Sequence, residues 1–155
     1  MSANTSHSMH GVLLGAGFFA QFQAEARKRM SEVNLIAVAA LALGRAKEFT
    51  AKHGIERAYE SVEAMFDAER PDFVDIATRP DTHLALTRLA TSRGINVISQ
   101  KPMAPTVSEC VAIREACEQA NLRLFIHENW RWQPWYREAK RLIDAGALGV
   151  TRKNA

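Results

Sequence analysis

Cysteine is scarce: the 155 residues include only Cys110 and Cys117. They fall two helical turns apart in one predicted helix, roughly 10 Å, beyond the reach of a disulfide. Both share an apolar stripe with Val107 and Ile113, so they read as buried structural thiols, and a reducing cytoplasm suits them. Lysine and arginine are missing from MSANTSHSMH (1–10), and no long apolar region follows it, so it reads as a disordered tail rather than a signal peptide. No apolar run approaches the length needed to span a membrane. Nor is there a block of basic residues: the net charge is +3 despite a pI of about 9.1, which gives no argument for nucleic acid. The densest basic group, Arg131, Arg137, Lys140 and Arg141, reads as a solvated helix face before it reads as a phosphate site. No serine stands in a nucleophile elbow, and His127 and Glu128 have no further ligand at a recognisable spacing, so neither acyl-transfer chemistry nor a metal site is expected. Internal repeats and low-complexity segments are absent after the tail.

What the chain does have is alternation. Its length and 47% hydrophobic content suit one globular domain with a proper core. Val12-Leu13-Leu14 is a short apolar strand. Gly15-Ala16-Gly17 turns it, and a helix runs from Gln21 to Met30. Leu35–Leu43 is apolar without alternation, as a strand buried on both faces should be, and Ala46–His53 reads as a helix that Gly54 stops. A short strand over 55–60 precedes the helix Val62–Ala68, which Ser61 caps. Phe73–Ala77 is the next strand, then a loop, and a helix from Asp81 or Thr82 to Arg93. Ile95–Ser99 is a strand leading to Gln100-Lys101-Pro102. Thr106 and Glu109 have the form of a capping box for the helix Val107–Ala120, the strand Leu122–Ile126 follows, and a helix from Pro134 to Ala145 ends at Gly146. Strands alternating with crossover helices of this length predict an α/β fold, a doubly wound parallel sheet of the Rossmann type.

Ligands of such sheets sit beyond the carboxyl ends of the strands. GVLLGAGFFA (11–20) has glycines at the first and third positions of the turn and a small residue at the sixth. Gly15 permits the tight turn, Gly17 lets a pyrophosphate approach the backbone, and Ala20 keeps helix and strand close. A tight turn with no ligand fits the same pattern. Lys101, at the end of a buried strand, would stand over the crevice, where partial burial would bring it into range for proton transfer. The alternative is an exposed strand-end lysine. His83 opens a helix beside the same crevice, or simply caps it. The tryptophans between Trp130 and Trp135 would wall a ligand pocket or cover a further domain.

GAGFFA, IATRPDTH, QKPMAPT, HENWRWQPW and KRLIDAGALG, in this order across residues 11–150, resemble the Gfo/Idh/MocA oxidoreductases. The resemblance implies a Rossmann domain over 11–150 that binds NAD or NADP, in a dehydrogenase acting on a sugar, polyol or related hydroxy compound. Carried over by position, Gly15, Gly17 and Ala20, with Phe18 and Phe19 between them, match the pyrophosphate turn. Thr78, Pro80 and His83 match the loop beside the cofactor. Lys101 matches the family's catalytic lysine, which contacts the reacting alcohol and the nicotinamide ribose, and Asn129 and Arg131 match positions near the nicotinamide.

Three departures qualify the match. Gln100 replaces the family's usual glutamate; its amide can still bond ribose, but it lacks the charge that would hold Lys101 protonated. Ala40, followed by Leu41, stands where an acid for the adenosine ribose is expected, and Arg45 is the nearest cation, so the choice between NAD and NADP is open. The family's second domain, which supplies the substrate pocket and an oligomer interface, would begin at about 151–155. These gaps keep an alternative in view: a non-catalytic, cofactor-sensing or protein-interaction domain of the same fold. A methyltransferase fits less well, since it too needs an acid at the end of the second strand.

Overall fold

A computed structural model describes residues 8–147 and 149. In chain order the elements are β1 (Met9–Leu14), α1 (Phe18–Lys28), β2 (Val33–Ala39), α2 (Leu43–His53), β3 (Arg57–Tyr59), α3 (Val62–Glu69), β4 (Phe73–Ile76), α4 (His83–Thr91), β5 (Asn96–Ser99), α5 (Val107–Gln119), β6 (Leu124–Ile126) and α6 (Pro134–Asp144). Short 3-10 turns at Pro80–Thr82 and Trp130–Trp132 precede α4 and α6. The six strands form one sheet in the order β3-β2-β1-β4-β5-β6, with every pair parallel. This is the doubly wound α/β sheet that the alternation predicts, with the order reversing at β1.

The two faces of the sheet are buried by different helices. Leu13 turns to one side with Ala20 and Ala24 of α1 and Phe49 of α2. Val12 and Leu14 turn to the other with Met65 and Phe66 of α3 and Cys117 of α5. Fully buried side chains of this size each contribute roughly 1.5–3 kcal/mol. Packing across the sheet is close enough that a Cβ on Gly11 would lie 2.1 Å from the Phe73 ring.

Several boundaries differ from the sequence reading. Met9 and His10 belong to β1, not to the tail, because the Met9 amide donates to Glu32 O and the His10 amide to the Asp72 carboxylate, both at 2.8 Å. Residues 1–7 and 151–155 lie outside the described residues. α1 begins at Phe18, with Gly17 as its N-cap. β2 stops at Ala39, since the Ala40 amide pairs with Tyr59 O and the chain then leaves the sheet; Leu41 is 99% exposed, and Leu43 already opens α2. The apolar run that looked like one buried strand is therefore strand, loop and helix start. Thr106 Oγ1 caps α5 by accepting the Glu109 amide, but the Glu109 carboxylate takes the Thr106 hydroxyl proton instead of returning to the cap's backbone. Burial pushes the Cys117 thiol up from its ordinary value, as suits an inert core thiol. Among the described residues no helix is long and apolar enough to cross a membrane.

Candidate cofactor cleft

At the carboxyl edge, where β1 passes to α1, the backbone makes room. Gly15 adopts φ +98°, in the left-handed region, and its amide donates to Ala39 O at 2.8 Å. A Cβ there would lie 2.7 Å from Ala77 O, so two strand ends meet across this glycine. Gly17 differs: a Cβ on it would meet no atom within 4 Å, because it faces an open cleft. The N-terminus of α1 has no side-chain cap and no acid in its first turn. Its unpaired amides and the positive end of its dipole are thus free for an anion. Ala20 is fully buried under the turn. Phe18, 71% exposed, and Phe19 line the mouth and meet each other and Phe22 edge-on or tilted at 5.1–6.1 Å between ring centres.

The cleft encloses about 660 Å³, within the range of small-molecule sites. One end is formed by Ala40, Leu41 and Arg45 after β2 and by Glu60 after β3. Glu60 escaped the sequence reading; its signal was its place one residue beyond an edge strand. The opposite wall comes from Thr78, Arg79 and Pro80 after β4 and from Gln100, Lys101 and Pro102 after β5. The Thr82 hydroxyl donates to Arg79 O at 2.7 Å, so the Thr78 hydroxyl gives its proton to Thr82 and this lip is tied to itself.

Four site expectations change. His83 does not reach the cleft: it is 0% exposed, its two ring nitrogens each lie 3.1 Å from a carbonyl oxygen, and it acts from beneath the floor. Gln100 does line the cleft, but its carbonyl oxygen accepts the Lys101 amide at 2.9 Å, leaving only its NH2 to face a ligand. Lys101 is exposed rather than partly buried; its ammonium lies 5.5 Å over the Phe19 ring, a cation–π contact, and among the described residues it touches no carboxylate. Asn129 is exposed at the start of the turn before α6 and stands apart from the cleft wall. The backbone of Arg131 lies in that same turn, and its side chain lies outside what is described.

Lys101 also borders a second opening of about 740 Å³, together with Glu128, Trp130, Tyr136 and Lys140. Glu128 accepts the Trp130 amide at 3.2 Å, which fixes its carboxylate at the rim. His127, just before it, is held by a buried network. Its Nε2 lies 2.9 Å from one oxygen of Asp75, and Arg27 of α1 lies 3.2 Å from the other. Asp75 is fully buried in β4, and two cationic or donor partners satisfy it. The sequence reading passed over Asp75 because a carboxylate within a short apolar strand resembles an exposed alternate position.

A glycine cradle at a helix N-terminus, at the switch point of a parallel sheet, defines a dinucleotide-binding Rossmann domain. The chain belongs to the Gfo/Idh/MocA family, described as an oxidoreductase family with an NAD-binding Rossmann fold, whose profile matches residues 9–128. It is 36% identical over 149 residues to a D-apiose dehydrogenase of Paraburkholderia graminis, covering 96% of this chain and 40% of that protein. It is 35% identical over 141 residues to inositol 2-dehydrogenase 4 of Saccharopolyspora erythraea, covering 88% of this chain and 41% of that protein. Among solved structures, an oxidoreductase from Agrobacterium radiobacter in complex with NAD+, L-tartaric acid and magnesium superposes with a TM-score of 0.87 at 36% identity, over 92% of this chain and 42% of that one. The chain thus spans about two fifths of the length of the curated relatives it matches.

Proposed function

We propose that this chain is the cofactor-binding domain of an NAD(P)-dependent dehydrogenase that acts on a sugar, polyol or related hydroxy compound. The observation that carries this reading is the position of Lys101, at the border between the glycine-floored cleft and the aromatic-walled opening. The cradle fits a dinucleotide. Open space lies over Gly17, uncapped amides begin α1, and no acid in the first turn of α1 repels a pyrophosphate. When bound, the nicotinamide supplies hydride acceptance or donation.

The residues of the chain do the rest. The first amides of α1 would hold the pyrophosphate, and the Gln100 NH2 would hydrogen-bond a ribose hydroxyl. The Lys101 side chain would take the substrate hydroxyl proton as a neutral amine in oxidation, or give a proton to the carbonyl oxygen as an ammonium in reduction. Trp130 and Tyr136, 6.2 Å apart between ring centres, form an apolar wall that limits water on the substrate side. The described residues build only one side of that opening. We assign its other side, and any homo-oligomer contact, to a second domain beginning near 151–155. Two free thiols, one buried, fit a cytoplasmic protein.

Calorimetric titration with NAD(H) and NADP(H) tests the reading. Binding of at least one of them is expected, and heats indistinguishable from dilution for all of them at millimolar cofactor would overturn it. Comparing the affinities of NAD and NADP also settles whether Arg45 or Glu60 governs the adenosine end.

A further inference from the structure

Beneath the cofactor cleft, one side chain joins the two loops that form a wall of it. His83, the first residue of α4, is fully buried and is not part of the lining of the cofactor cleft. Its Nε2 lies 3.1 Å from the carbonyl oxygen of Thr78, on the loop after β4. Its Nδ1 lies 3.1 Å from the carbonyl oxygen of Met103, two residues past Lys101 on the loop after β5. The hydroxyl of Ser99, the last residue of β5 and also fully buried, stands 3.2 Å from the same Nδ1. A carbonyl oxygen only accepts and a neutral imidazole has one N–H, so the ring cannot donate to both: Nε2–H donates to Thr78 O, and Nδ1 accepts the hydroxyl proton of Ser99 at the root of the Lys101 loop. Beyond the Gln100 amide, which joins the strand ends at Ile76 O, the side chains of these loops bond locally: Thr78 to Thr82, and Gln100 to the Lys101 amide.

We infer that His83 is a positioning residue that latches the Lys101 loop to the Thr78 loop, so that the two lips move as one body. The inference rests on the dinucleotide reading only for what the latch positions. The latch itself is a property of the chain alone. A buried imidazole bonded to Thr78 O and to the Ser99 hydroxyl, across the junction of two strand ends, acts at a distance on Lys101, which it does not touch. A lysine that has to meet both a cofactor and a substrate gains from a loop whose backbone is pinned on its inner side.

Two substitutions separate the two arms. In His83→Asn the side-chain carbonyl can reach the Nδ1 position and keep the bond from Ser99. In His83→Gln the side-chain NH2 can reach the Nε2 position and keep the bond to Thr78. Amide hydrogen exchange, followed by NMR on the cofactor-free 155-residue chain, reads each loop separately. In His83→Gln the Lys101 and Met103 amides should exchange about tenfold faster while Thr82 stays within about twofold, the weight of one buried hydrogen bond. In His83→Asn the pattern should reverse, and His83→Leu should loosen both loops. The amides of the buried β1 residues Leu13 and Leu14 serve as the internal reference. The latch is overturned if both loops exchange as in the native chain, if the Asn and Gln variants loosen the same loop, or if the β1 amides accelerate equally. NADH titration is the second readout. The Leu variant should lose about tenfold in affinity, as expected for a cleft wall freed from one buried hydrogen bond. If the native chain itself fails to bind NADH, the dinucleotide reading falls, while the exchange data still decide on the latch.

Discussion

Gly15 and Gly17 stand two positions apart, yet they tolerate a methyl group very differently. At Gly15, alanine meets both a left-handed backbone and the Ala77 carbonyl at 2.7 Å. Gly15→Ala should therefore destabilise the fold by about 1–3 kcal/mol, read as a lower midpoint in urea or heat. At Gly17 the methyl would enter empty cleft. Gly17→Ala should leave the midpoint within about 0.5 kcal/mol of native, the usual range for a surface change. Its effect should appear in calorimetry, as weaker dinucleotide binding. The glycine pattern was legible in the sequence, since the spacing of a strand, a turn and a helix is local. The division of labour between the glycines was not, because the Ala77 carbonyl arrives from the end of the neighbouring strand β4, which is distant in sequence. His83 makes the same point from the other direction. Its position in the loop motif was visible, but only three-dimensional burial shows that it faces two carbonyls rather than a ligand.

At the scale of elements, the edge strand β3 shows how a short segment is kept in place. Arg57 binds Glu69 of α3 through Nε and Nη2, at 2.5 and 2.8 Å, and the Tyr59 hydroxyl donates to the same carboxylate at 2.6 Å. Burial works to raise the Glu69 value, but the Arg57 and Tyr59 hydrogen bonds outweigh it and hold the carboxyl below the ordinary glutamate value of 4.5. A depressed carboxylate stabilises the fold fully above its unfolded value, and that contribution is lost as pH falls through the lower, folded value. The hydrogen bond to Glu69, followed by burial, raises Tyr59 above the ordinary phenol value of 10.0, so its contribution is lost as pH rises past that range. Stability measured against pH should therefore fall off on both sides. Glu69→Gln should flatten the acid limb below about pH 4.5 and Tyr59→Phe the alkaline limb above about pH 10; unchanged limbs would remove the clamp from the account. The Ser61 cap on α3, which accepts the Ala64 amide at 3.1 Å, was read correctly from sequence, and Ser61→Ala should cost about 1 kcal/mol. The end of β2 was misread, because an apolar run carries no mark of where its strand leaves the sheet. That point is set by the Tyr59 carbonyl, on a different strand.

Across the described residues, burial thins toward the carboxyl-terminal side. α6 has no buried residue, and Trp130, Trp135 and Tyr136 are exposed around it. Its polar face includes Lys140, paired with Asp144, and Arg141, paired with Glu138. Exposed pairs of this kind stabilise a helix only weakly, so α6 depends on its local turns. In the isolated chain its amides should exchange faster than those of α5, which buries Ile113 and Cys117. Trypsin should cut first at Arg137, Lys140 or Arg141, which mass spectrometry of the early fragments would show. First cuts within α5 would contradict this. The sequence made the existence of α6 clear through Pro134 and Gly146. It did not show that the helix would stand without a packed partner, since an amphipathic pattern looks the same whether or not its apolar face is covered.

The central position of β1 also sets the order in which the domain can assemble. β1 pairs with β2, complete by Ala39, and with β4, which ends only at Ile76. During synthesis or refolding, the pairing of β1 with β2 forms over a short connection, and its pairing with β4 waits for a much longer one to close. Non-local parallel pairing of this kind is slow, so the rate-limiting step should be the docking of β4. Val74, fully buried beside Val12, is the residue that reports on it. Val74→Ala should slow folding more than it speeds unfolding, whereas Val38→Ala on β2 should not share that bias if β1–β2 pairing comes earlier and more freely. The strand that forms the floor of the cofactor cleft is thus also the strand on which the sheet waits to close.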